Sequence, residues 1–378
     1  MDPAARTEPD ARELLALARR DPRAAERALA ALPIAAQVAV VCEAPLAERG
    51  RILGLAPHPE VLIPEIPPAE LCFTIKAIGL ADAAWVLEHA TAEQSVAAID
   101  LDAWRGNEMD LATANEWLQA FARTSPEARV RTLEALDAEL LVLALRARIG
   151  VVQKPDDAEG WSPPEGSQTL EGQFHYWALT DADDLADITD HLRALFEGAY
   201  WSYFRLMQAI QWELGSDSEE WALRWRTGRL EDLGFPTWDD AMRIYRFMDP
   251  PARRALPVEP PAVTAEWPLA VWLPQLPATG GAGDRIFRAI AELSEAERRA
   301  AFYSFVALAN RIAVADRMPL GDAESTPAAI AKAARFASAG LAYLAEEHHL
   351  RDVEVLRRAG IEHLFRVGAN LDPAGARS

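Results

Sequence analysis

Lysine is almost missing from this chain. Lys76, Lys154 and Lys332 are the only three, so arginine supplies nearly all of the 38 basic residues, against 58 acidic ones. The net charge of −20 excludes one class of function at the outset. Phosphate backbones and anionic headgroups are held by basic side chains that displace counterions, so a surface this acidic repels both. No nucleic-acid partner is expected. Cysteine is scarce too: Cys42 and Cys72 each sit inside an apolar run, which predicts two buried thiols in a reducing compartment. No uninterrupted apolar stretch approaches the roughly 18 residues that a membrane helix needs, so no membrane insertion is expected. The opening MDPAARTEPD is acidic and polar rather than signal-like, and a cytoplasmic location is expected.

Metal and phosphate signatures are also lacking. The seven histidines form no His-Glu-x-x-His arrangement, adjacent His348 and His349 point to different helix faces, and two cysteines cannot close a zinc site. The glycine-rich TGGAGDR (279–285) lacks the Lys-Ser/Thr ending of a phosphate loop, and no Gly-x-Ser-x-Gly elbow occurs. No cofactor is expected.

What is present is punctuation. Pro33, Pro45, Pro57, Pro68, Gly79 and Thr91 follow one another at steps of 12, 12, 11, 11 and 12 residues. Proline is tolerated in the first turn of a helix and not in its interior. The chain is therefore cut into helices of about two turns, which pair into hairpins of about 23 residues that bury their apolar faces only by stacking. The expected fold is mostly all-α, with an N-terminal α-superhelical repeat of short helical hairpins. Thr91 with Gln94 and Ser294 with Glu297 have the capping-box form, and Ser125 before Pro126 opens another helix. Helices are predicted near 110–122, 127–136 and 138–148.

The pattern changes after that. QFHYWAL (173–179) is rich in aromatics and too short for a stable helix, so a strand is predicted, with ARIGVV as its partner. Apolar residues at three- and four-residue spacing predict helices at 182–197, 199–213, 218–226 and 238–248. Eight prolines fall between 250 and 277, followed by Gly280, Gly281 and Gly283. That stretch is expected to lie extended, pinned by Trp267, Leu269, Val271, Trp272 and Leu273. A length of 378 residues suggests two or three domains. The expected regions are a helical superhelix over 1–150, with its repeats at about 32–102; an aromatic-rich helical region with short strands over 151–248; the Pro/Gly-rich segment 249–283; and a helical C-terminal region over 284–378.

Two resemblances add to this reading. The helical punctuation from about 32 to 100 resembles the cytosolic N domain of MgtE-type magnesium channels, a helical superhelix. The channel's membrane helices and nucleotide-binding pair domain are not seen after the repeats, so magnesium gating is not implied. WRTGRLEDLGFPTWDDAMRIY, TLEGQFHYWAL, LANRIAVADRMPLGDAES and LFRVG resemble blocks of a bacterial domain-of-unknown-function family over nearly the whole chain. That resemblance implies a common fold and no activity.

One segment concentrates rings and guanidinium groups. Trp221, Arg224 and Trp225 lie at i, i+3 and i+4 on one helix face, Arg226 and Arg229 follow, and Thr227-Gly228 reads as a turn. This is either a packed corner in which Arg224, Arg226 and Arg229 meet carboxylates, or an Arg- and Trp-lined site for an anionic ligand or a partner's acidic tail. Asp181, Asp183 and Asp184 resemble the start of a calcium loop. Ala186 and Leu192 stand where such a loop needs Gly and Glu, so a helix start is the better reading. Three functions are carried forward. The first is a non-enzymatic helical-repeat scaffold or adaptor that binds another protein, the second a metal- or nucleotide-responsive regulator, and the third an enzyme with an unrecognised site in the aromatic middle region.

Overall fold

Proline and glycine decide where the first helices stop. The computed structural model describes residues 10–157, 159–179, 185–257, 266–273 and 284–377. It divides into two compact units, Met1–Arg226 and Thr227–Ser378. The chain is mostly all-α. Among the described residues, strands occur in two small antiparallel pairs.

The first unit opens with α1 (Ala11–Arg20) and α2 (Pro22–Ala30). Asp10 and Asp21 cap them, accepting from the Glu13 and Ala24 amides at 2.8 and 3.0 Å. Then come α3 (Ile34–Glu43), α4 (Leu46–Leu53), α5 (Pro59–Leu62), α6 (Pro68–Ile78), α7 (Ala84–Leu87) and α8 (Ala92–Asp102). All six predicted breaks fall at helix boundaries. Pro33 and Pro45 are N-caps, Pro57 lies in the gap before α5, and Pro68 is the first residue of α6. Gly79 closes α6 at φ 97°, which a residue with a side chain rarely adopts. Thr91 forms its capping box with Gln94.

Helix α4 packs on α6, and α6 on α8. Buried polar ties join them. Arg49 bonds Glu70 at 2.6 Å and the Cys42 carbonyl at 2.5 Å. Gln94 caps through its Oε1, which accepts from the Thr91 amide, while its Nε2 donates to the Ile63 and Ile66 carbonyls at 2.9 and 2.8 Å. Asp102 takes Lys76 at 2.6 Å on one oxygen and the Trp117 indole at 2.9 Å on the other. Around these ties Ile52, Leu53, Leu62, Ile63 and Leu71 are fully buried, each worth about 1.5–3 kcal/mol of transfer free energy. Both cysteines are buried, and neither is in a disulfide.

A two-residue pair, β1 (Trp104–Arg105) with β2 (Glu108–Met109), turns at Gly106 and leads to α9 (Leu111–Phe121), α10 (Pro126–Ala135) and α11 (Ala138–Arg146). Next, β3 (Ile149–Gln153) pairs with β4 (Phe174–Ala178), the two segments predicted to meet. Gly150 stands opposite Trp177, whose indole occupies the space a Cβ would need. Three helices follow: α12 (Ala186–Gly198), α13 (Tyr200–Trp212) and α14 (Gly215–Asp232). Helix α10 packs on α8 and on α12, and α12 on α13.

Two local readings are corrected. Thr227 and Gly228 lie inside α14 rather than in a turn. Helix α14 stops at Gly234 (φ 85°), where Phe235 donates back to the Leu230 carbonyl at 2.8 Å. The proline-rich stretch also contains a short helix over Pro250–Arg254, because both its prolines occupy the first turn.

The second unit contains α15 (Trp238–Ala241), a 3₁₀ turn over Met242–Tyr245, α16 (Pro250–Arg254), α17 (Arg285–Ala291), α18 (Glu295–Ala315), α19 (Ser325–His348), α20 (Asp352–Leu371) and α21 (Pro373–Arg377). Its core lies among α18, α19 and α20, with Phe305, Leu341, Leu344, Leu364 and Phe365 fully buried. Helices α19 and α20 approach through glycine: a Cβ on Gly340 would collide with the Leu364 carbonyl, and one on Gly368 with the Phe336 carbonyl. Helix α20 bends at Gly360, whose φ of 71° and ψ of 162° belong to glycine alone. The predicted Ser294–Glu297 capping box opens α18, and Arg357 grips Glu297 at 2.8 and 3.1 Å. Of the stretch expected to be pinned by apolar side chains, residues 266–273 have no regular structure. Trp267 meets the Tyr303 ring at 5.2 Å and fills the space beside Gly234. Most of TGGAGDR lies outside the described residues. Among the described residues no helix is long and apolar enough to cross a membrane.

Candidate functional site

A helix turns about 100° per residue, and that rotation separates the five ring and guanidinium residues singled out in the sequence. Trp221 and Trp225 project from α14 as a stacked pair, rings 5.9 Å apart at 26°. They are 43% and 48% exposed. Arg224 lies over the Trp221 face, 5.0 Å from its centroid. Arg226 points the other way and is buried. Its Nε donates to the Asp100 carbonyl at 2.8 Å and one Nη to the Gly106 carbonyl at 3.3 Å, while its guanidinium covers the Trp104 ring at 5.0 Å. Arg226 thus holds the end of α8 and the β1–β2 turn to α14. Arg229, half-buried in the second unit, is engaged as well. Asp181, Asp183 and Asp184 lie outside the described residues. Among the described residues no group of three His, Cys, Asp or Glu side chains is placed to hold a metal ion.

The structure adds residues that were not singled out. Trp201 and Trp212, at the two ends of α13, are 71% and 70% exposed. Eleven residues make about three full turns, so both rings lie on one face, separated by about 16 Å along the axis. Arg205 is exposed between them, and Leu214 is exposed just beyond Trp212. The three-turn spacing is legible in the sequence, but only burial distinguishes a core face from an exposed one.

Trp201 stands on a packed bed of rings. It meets Tyr200 at 5.5 Å and Phe204 at 6.0 Å, and Phe204 meets Phe174 of β4 at 5.4 Å. Tyr203 is buried beneath and donates its hydroxyl to Glu171 at 3.1 Å. Burial and the Glu171 charge hold that phenol well above its usual range, so it stays a neutral donor. The same carboxylate accepts the Phe174 amide at 3.0 Å, which ties strand to helix. Beyond Trp212 the border is acidic: Glu213, Asp217, Glu219 and Glu220 are all exposed.

The most perturbed imidazole lies in the core, away from this surface. His191 of α12 is buried, with Nε2 at 2.9 Å from the Leu118 carbonyl. A carbonyl only accepts, so Nε2 carries the proton, and Nδ1 is left buried without a partner. Arg129 nearby donates to the Phe121, Ala122, Thr124 and Asp190 carbonyls. Desolvation lowers the pKa of its guanidinium. This pair stitches α9, α10 and α12 together.

Compared with known families, residues 26–372 match a model described as "Family of unknown function (DUF6178)". No curated protein and no solved structure matches the chain.

Proposed function

Starting from a chain that belongs to this family of unknown function, a membership that brings no activity with it, we propose that the protein is a non-enzymatic scaffold that docks a partner protein on the tryptophan-bearing faces of α13 and α14. One observation carries this reading: Trp201 and Trp212, both more than two-thirds exposed, sit on one helix face above a rigid aromatic bed. Leaving two indoles in water forgoes about 1.5–3 kcal/mol of transfer free energy each, and tryptophan is the residue most enriched among binding hot spots. The acidic border after Trp212 selects the partner's charge. A basic segment, with arginine or lysine available to stack on the indoles, complements a chain of net charge −20.

The stack α4–α6–α8–α10–α12 supports reading the first unit as a superhelical repeat that carries this face. Two buried cysteines, neither in a disulfide, fit a reducing, cytoplasmic setting. The test is a photocrosslinker placed at Gln208, between the two tryptophans, in wild type and in the double variant Trp201→Ala, Trp212→Ala. The expected result is a crosslink to one protein through a basic segment, lost in the variant while its melting temperature is unchanged. Equal crosslinking by both forms, or no crosslink from the wild type, would overturn the reading.

A further inference from the structure

Acidic residues outnumber basic ones 58 to 38 on this chain, which makes a local positive surplus in the second unit informative. An open groove of about 640 Å³ lies between the turn after α18 and one face of α19. Small-molecule sites span about 300–1,000 Å³. Ala328, Ala331, Lys332 and Arg335 recur at i, i+3, i+4 and i+7, so two alanines open the floor and two cations stand on the same helix face. Asp316 and Arg317 form the opposite wall. The charged lining is three cations and one carboxylate, a surplus of two positive charges.

That carboxylate is already satisfied by the protein. One Asp316 oxygen accepts from the Tyr245 hydroxyl at 2.9 Å and the other from Lys332 Nζ at 2.7 Å. Lys332, one of three lysines in the chain, is thereby fixed as a point charge at the groove. Arg317 is odd for a different reason. It occupies the position after the α18 cap, at φ 55°, with Met318 donating back to the Ala313 carbonyl at 2.8 Å. Glycine is the usual residue in this left-handed turn. The arginine here is strained by its backbone, while its guanidinium sits 5.3 Å from the Trp238 ring and lines the groove. Arg335 is oriented by a bond to the Gly375 carbonyl at 3.0 Å.

We propose that this groove binds a small molecule through a dianionic phosphoryl group, with Arg317 and Arg335 as forked donors and Lys332 as the fixed charge. Two planar forks and an ammonium match the several oxygens of a phosphoryl group better than a single carboxylate. The test is calorimetric titration of the full chain with inorganic pyrophosphate, with succinate as the dicarboxylate comparison. Both arginines are exposed, so Arg335→Gln and Arg317→Gly should fold, and glycine suits the backbone at 317. Saturable pyrophosphate binding is expected, weakened at least about tenfold by either variant and unchanged by Arg12→Gln in the first unit. Absence of saturable heat at millimolar pyrophosphate, equal affinity in the variants, or equal affinity for succinate would each overturn the assignment.

Discussion

Replacing His191 with glutamine tests the physics of the first unit's core. Glutamine can still donate an N–H to the Leu118 carbonyl, but it does not titrate. Burial first, and then the Arg129 charge, push the His191 imidazole from its ordinary value of 6.5 down to about 4, against smaller opposing effects of the Leu118 bond and of Asp187 and Asp190. The direction follows from geometry: a second proton would have to sit on Nδ1, which is buried and has no acceptor. A depressed folded-state value contributes stability that is complete above the unfolded value and is lost as pH falls towards the folded one. The window is therefore pH 6.5 down to about 4. At 1.36 kcal/mol per unit of pKa difference, the linkage amounts to about 3 kcal/mol lost between neutral pH and pH 4 that the glutamine variant does not lose. Urea unfolding of both proteins across that range measures the difference, because every other titrating group cancels between them. The His191 ring carbon resonance, followed by NMR, reads the site itself. A His191 resonance that titrates near 6.5, or parallel stability curves for the two proteins, would refute the reasoning.

Four further outcomes are expected. Arg226→Ala leaves the Asp100 and Gly106 carbonyls without their donor and uncovers Trp104, so denaturant unfolding should show a loss of about 2–3 kcal/mol. Arg224→Ala on the exposed side of the same helix should change stability by less than about 0.5 kcal/mol, and an equal loss in both variants would contradict the separation of the two faces. Gly340→Ala or Gly368→Ala should cost at least about 1–3 kcal/mol by forcing α19 and α20 apart, visible as a lower melting temperature of the second unit. Arg357→Ala should raise the Glu297 carboxyl from about 2 back towards its ordinary value; the stability it contributes is present above about 4.5 and lost as pH falls towards 2, and acid unfolding should begin at higher pH in the variant.

Much of the fold was legible because its signals are local. A proline ends or begins a helix whatever surrounds it, so Pro33, Pro45 and Pro68 place α3, α4 and α6 without tertiary information. Thr91 with Gln94, and Ser294 with Glu297, satisfy their own orphan amides within four residues. The pairing of β3 with β4 followed from two short, aromatic or β-branched runs. The expected likeness to the magnesium-channel domain rested on the punctuation alone, and no comparison adds to it. The misreadings were places where context overrode a local signal. Gly228 costs about 1 kcal/mol in a helix, yet α14 runs through it, with Ala222, Arg226 and Leu230 each buried at four-residue spacing. Pro250 and Pro251 looked like helix breakers, but Asp249 caps them, and the first turn needs no amide from either.

The five residues singled out around Trp221 show the limit most clearly. Sequence spacing put Trp221, Arg224 and Trp225 on one helix face and left Arg226 undecided between ligand and core. The chain alone determined helix starts, strand candidates, an acidic surface and buried thiols, because each depends on a residue and its near neighbours. Which tryptophans meet water, which arginine is buried against two carbonyls, and that Tyr245, Asp316 and Lys332 converge were decided by tertiary packing. Those groups are 16 to 126 residues apart in sequence, and only the packed chain brings them within reach of one another.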